Sequence, residues 1–206
     1  MDERHTRVAG TTSVLAGCLT VLVSVPPRWY GVSGTDSYLF DPVLFSPLWI
    51  SRTLVPALAV LAVVGLLVGL AALLLRDWQS FGRLRRWSAL LALIGFLALS
   101  LATVALLVVG NQSGTSVLGA LFALAVGGIG ALLFVPGALL LGYGYLRAGN
   151  WAVGGSLAVV PIAVPVLGYV GVGPASGLVT ALPIGVTWTL LGRELLRTDF
   201  EPRSVP

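Results

Sequence analysis

The sequence predicts an all-α protein, a polytopic bundle of about six transmembrane helices with both termini on the cytoplasmic side. Three observations carry this expectation. The chain of 206 residues is 57% hydrophobic and only 10% charged, whereas a soluble domain carries about 25% charged residues. A water-soluble fold of this size leaves roughly a third of its unfolded surface wet, so this much apolar surface needs lipid as its solvent. The apolar residues are also gathered into runs long enough to cross a bilayer, and the basic residues between those runs are distributed very unequally.

The first run, 8–25, is slightly short of the ~20 residues a spanning helix needs. Within it "LAGC" (15–18) matches the small-residue pattern that precedes a lipid-modified cysteine,. The apolar run continues as "LTVLVSV" (19–25), where a cleaved lipoprotein turns polar, so Cys18 reads as a small hydrophobe in an uncleaved helix,. The loop 26–52 follows, with six aromatic residues (Trp29, Tyr30, Tyr38, Phe40, Phe45 and Trp49) and Asp36 and Asp41. It reads as an aromatic cap at the headgroup level rather than a lid over a site.

The second run, 53–75, contains "VLAVVGLLVGLAALLL" (60–75), which shows none of the alternation of a membrane β-strand,. Gly65 and Gly69 form a GxxxG pair that lets helix backbones approach closely,. Packing within the chain is the preferred reading. The other is a homo-oligomer, or a membrane-protein partner, meeting the chain at these glycines. The third run is 87–110. After "NQSGTS" (111–116), whose "NQS" is read as turn chemistry rather than a glycan acceptor,, comes the fourth, 117–146. A straight helix there would be about 45 Å long against a hydrocarbon core of ~30 Å. It must tilt, project or break, and Pro136 marks the kink position,. The fifth run, 151–171, holds Pro161 and Pro165, and the sixth, 177–192, holds Pro183. Such prolines either set packing angles or open a midplane solute path, and packing is expected.

The segment "RDWQSFGRLRRW" (76–87) concentrates Arg76, Arg83, Arg85 and Arg86. With the N-terminus inside and six spans, ten of the twelve arginines fall on the inner side with six acids; Arg28 and Arg52 face Asp36 and Asp41 outside. The whole net charge of +4 therefore lies on one face. This asymmetry reads the cluster as a topology anchor touching anionic lipid headgroups. A pI near 9.8 does not make a nucleic-acid binder here, because the water-facing surface consists of short loops.

Ionisable residues inside a membrane mark ion paths and proton relays, and the sequence has none away from the predicted helix ends. There is no lysine for a Schiff base, and the single histidine, His5, lies in the N-terminal tail. No catalytic, metal-ligating or cofactor-binding set is predicted. The expected partner is the lipid bilayer of a prokaryotic cell membrane. The expected role is a non-catalytic scaffold or accessory subunit, with a permease for a neutral small solute, working through helices five and six, as the alternative. The topology is checked by cysteine labelling in a Cys18→Ala background: Ser37→Cys should react with an impermeant reagent from outside, and Ser80→Cys should not. The reverse pattern would invert the orientation.

Overall fold

The computed structural model describes residues 3–25, 45–46, 49–110, 117–170 and 176–197. It is an all-α bundle of six long helices: α1 (Glu3–Val23), α2 (Val55–Asp77), α3 (Arg83–Gly110), α4 (Val117–Arg147), α5 (Trp151–Val170) and α6 (Ser176–Arg197). A π-helical turn, Ile50–Leu54, leads into α2, and a 3-10 turn, Trp78–Ser80, follows it. No strand occurs among the described residues. Most of the expected outer loop and the whole 111–116 turn lie outside them.

Each helix stands where an apolar run was read, with altered ends. α1 begins five residues before its run and α6 continues five beyond, taking in Arg4, Arg7, Arg193 and Arg197. The apolar run marks only the part that can lie in hydrocarbon, while a helix continues into the interface wherever its backbone bonds can. Among the described residues four segments are long and apolar enough to cross a membrane: Arg4–Val23, Ile50–Ser80, Arg83–Leu106 and Val117–Arg147. α5 contributes a shorter apolar stretch, Trp151–Leu167, and α6 is more polar.

Local chemistry sets the ends. Pro56 sits in the first turn of α2, where its missing N–H costs nothing,. The "RAGN" turn closes one helix and opens the next. Gly149 has φ of 82°; its N–H donates to the Leu146 carbonyl, and that of Asn150 to the Tyr145 carbonyl. This is a Schellman closure of α4, which a glycine accommodates without strain. Asn150 Oδ1 then accepts from the Val153 N–H at 3.2 Å, capping α5,. α4 runs unbroken through Pro136.

The helices pack as an antiparallel ring. α1 lies between α2 and α6, and α3–α4, α4–α5 and α5–α6 pack as neighbours, with a thinner contact between α2 and α3. Three seams bring backbones together. A Cβ on Gly17 would lie 2.6 Å from the Gly185 carbonyl, and one on Gly192 would lie 2.6 Å from the Gly10 carbonyl. Gly130 opposes Gly95 between α3 and α4, and Gly142 opposes Gly154 between α4 and α5. Gly65 and Gly69 face Ala16 and Ser13 of α1, within the chain.

The centre is filled by Trp188, 1% exposed. Its indole N–H donates to the Leu66 carbonyl of α2 at 2.7 Å. Ser13 of α1 donates to the Trp188 carbonyl at 3.0 Å. Phe96 of α3 stacks on the indole at 5.0 Å, and Phe134 of α4 lies 5.5 Å beyond Phe96. One residue thus joins α6 to α1, α2 and α3, with its buried N–H satisfied. Large apolar side chains such as Leu61, Ile94, Leu118, Leu132 and Ile162 cover the outside, a surface suited to lipid rather than water.

The seams yield a comparison. Gly17→Ala should destabilise the bundle by about 1–3 kcal/mol, the usual cost of overpacking, because the added methyl meets backbone. Gly128→Ala adds its methyl to open space and should be neutral or stabilising. Thermal unfolding in mild detergent separates the two.

Candidate functional site

The arginine-rich segment folds into a polar clasp at one end of the bundle. Arg76, in the last turn of α2, donates to both carboxylate oxygens of Asp77, at 2.8 and 3.2 Å. Its other terminal nitrogen reaches the Glu194 carbonyl of α6 at 3.5 Å. Tyr145, in the last turn of α4, donates its hydroxyl to Asp77 Oδ2 at 2.7 Å. Asp77 therefore accepts three hydrogen bonds from two helices. Asn150 donates to the Glu194 carboxylate at 3.1 Å, tying the α4–α5 turn to α6.

Arg85 of α3 enters the same cluster through rings. Its guanidinium carbon lies 4.4 Å from the centroid of Phe81 and 4.1 Å from that of Tyr145. The two rings meet edge to face at 6.1 Å. The side chain rests on Gly144, where a Cβ would come within 3.2 Å of Arg85 Nε. That Nε is buried with no hydrogen-bond partner, so the rings and the outward guanidinium nitrogens hold the charge in place. Phe81, 3% exposed, is the floor of the cluster.

The four arginines divide into two pairs. Arg76 and Arg85 turn inward and are engaged by Asp77 and by the rings. Arg83 and Arg86 turn outward and line a cavity of about 630 Å³ with Trp78, Phe81, Trp87 and Leu90. The Arg86 guanidinium lies 5.8 Å from the Trp78 ring centroid.

The four prolines do not converge. Pro136 and Pro165 face outward, Pro161 is buried, and Pro183 is half-buried. Pro183 lines an open, largely apolar groove of about 580 Å³ between α5 and α6, with Ser156, Leu182, Val186 and Thr187 among its walls. Pro161 and Pro165 are not among them. Ser156 donates to the Val153 carbonyl and Thr180 to that of Gly177, each within its own helical turn. Cys18 lies on an exposed face of unbroken α1. Among the described residues no three His, Cys, Asp or Glu side chains come together as a metal site.

The sequence reading marked the arginines but missed Asp77, Tyr145 and Trp188. Nothing in the sequence couples positions 77 and 145. The α1–α6 seam did leave a signal, since Gly10 and Gly17, like Gly185 and Gly192, stand seven residues apart. No protein family, characterised protein or solved structure shows significant similarity to this chain. The described residues form an all-α bundle, and four of its segments have the length and composition of membrane-spanning helices.

Tyr145→Phe removes one hydrogen bond to a carboxylate and should cost about 1.5–3 kcal/mol. Asp77→Ala should cost more, because it takes the carboxylate partner from Arg76 and the acceptor from the Tyr145 hydroxyl,. Unfolding of each variant in detergent, compared with the parent, measures both.

Proposed function

We propose that the chain is a six-span protein of a prokaryotic cytoplasmic membrane, with both termini inside, and that it serves as a non-catalytic scaffold or accessory subunit. The observation that carries this reading is the filled interior. Glycine seams bring the backbones of neighbouring helices together, and Trp188, Phe96 and Phe134 occupy the middle. A solute path needs room or exchangeable polar groups there. Among the described residues the charged side chains other than Arg52 lie toward the end of the bundle that carries the clasp, and the arginine asymmetry favours the cytoplasm for that end.

Two further observations support parts of this reading. Gly65 and Gly69 are used against α1, which favours packing within the chain over a homo-oligomer seam through them. Ala9, Gly10, Ser13 and Ala16, all before Cys18, are buried against the rest of the bundle. That favours an uncleaved first helix over a lipoprotein.

A permease for a neutral solute is the second reading, and the α5–α6 groove beside Pro183 is the observation that favours it. Its two hydroxyl-bearing walls, Ser156 and Thr187, supply polar contacts without charge. Replacing Pro161, Pro165 and Pro183 together with Ala separates the two roles. For a scaffold, the triple variant should change detergent stability and recovery of a stoichiometric membrane-protein partner, with no uptake by parent-loaded vesicles. Uptake of a neutral solute by the parent in vesicles, lost in the triple variant, would establish the permease instead.

A further inference from the structure

We propose that the cavity formed by Arg83, Arg86, Trp78 and Trp87 binds the phosphate of one anionic phospholipid, and that the lipid's acyl chain runs outward along α3. This assignment stands whether the protein is a scaffold or a permease, since it concerns only the end of the bundle and its lipid-facing side.

Four features of the cavity point to that ligand. First, its cations are unspent. Among the described residues Arg83 and Arg86 make no ion pair, while the nearby carboxylate of Asp77 is already occupied by Arg76 and Tyr145. Second, the two arginines stand three apart on one face of the first turn of α3,. That turn presents backbone N–H groups and the positive end of the helix dipole. A phosphate there would meet two guanidinium forks, the geometry arginine serves best. Third, the rim is aromatic and amphipathic. Trp87 is 60% exposed and Trp78 carries the Arg86 guanidinium, the arrangement expected at headgroup depth.

The fourth feature distinguishes a lipid from free phosphate. The cavity ends on Leu90, and from there an exposed apolar stripe continues up the same helix through Ile94, Leu97 and Leu101. The spacing of four, three and four residues keeps these side chains on one face. Free phosphate has no use for such a stripe, whereas an acyl chain lies along it. The cavity lining holds two positive charges and no acid, which favours an anionic headgroup over a zwitterionic one, whose ammonium would be repelled.

The test uses the full chain in vesicles of phosphatidylcholine containing either phosphatidylglycerol or phosphatidylcholine brominated on its acyl chains, at equal mole fraction. Bromine quenches tryptophan fluorescence on contact, and with Trp29, Trp49 and Trp151 replaced by Phe, Trp87 and Trp78 report the site. Brominated phosphatidylglycerol should quench more strongly. Its preference over phosphatidylcholine should fall by about tenfold in the Arg83→Gln/Arg86→Gln variant, which loses both phosphate forks. The Arg193→Gln/Arg197→Gln variant removes the same charge from the same end and should keep the preference. Equal quenching by the two lipids in the parent protein would overturn the assignment, even if the Arg83/Arg86 variant does not fold. An equal loss in the Arg193/Arg197 variant would reduce it to a diffuse surface potential. Displacement of the lipid by millimolar inorganic phosphate would show a site for free phosphate and overturn the lipid.

Discussion

Between α1 and α6 the carbonyl of Gly185 stands almost where a side chain on Gly17 would be, and Gly192 repeats the relation with Gly10 one heptad along. In a membrane the lipid tails are as apolar as leucine, so burying apolar surface between helices supplies little driving force. Close van der Waals contact must supply it instead, and that requires small residues where axes approach. The same solution recurs at Gly95 with Gly130 and at Gly142 with Gly154. These seams fix how near each helix lies to its neighbour, and the positions of Trp188 and of the clasp follow from them.

Trp188 converts pairwise seams into one body. Its indole spans the distance that the glycine contacts leave at the centre, and its N–H finds the Leu66 carbonyl rather than remaining unpaired in a dry interior,. Ser13 fits in the space above Gly69 and holds the Trp188 carbonyl. A smaller residue at 188 would leave a void, and a larger one at 69 would displace Ser13. The centre and the α1–α2 seam therefore constrain one another.

The clasp shows how one segment can use arginine for two purposes within eleven residues. Arg76 and Arg85 are drawn against a carboxylate and two rings, which compensate their partial removal from water,. Arg83 and Arg86, on the other side of the first turn of α3, keep their charge directed outward. Helical geometry makes this division: Arg85 points to Tyr145 of α4, and its neighbours at 83 and 86 are rotated away from that contact.

Composition and apolar runs were enough to determine the helical class and the approximate positions of the helices. These properties depend on each residue's own transfer free energy, which is local and additive along the chain. The turn at 147–150 is likewise local, since Gly149 and Asn150 act on backbone within five residues. The tertiary structure alone decided that Asp77 meets Tyr145 across 68 positions, that Trp188 lies at the centre, and that four arginines of one segment divide into an inward pair and an outward pair. It also decided that the four prolines, equivalent as helix breakers in the sequence, point to different surroundings. Contacts of that kind depend on the distance and rotation between helices, which the glycine seams set together and no single segment specifies.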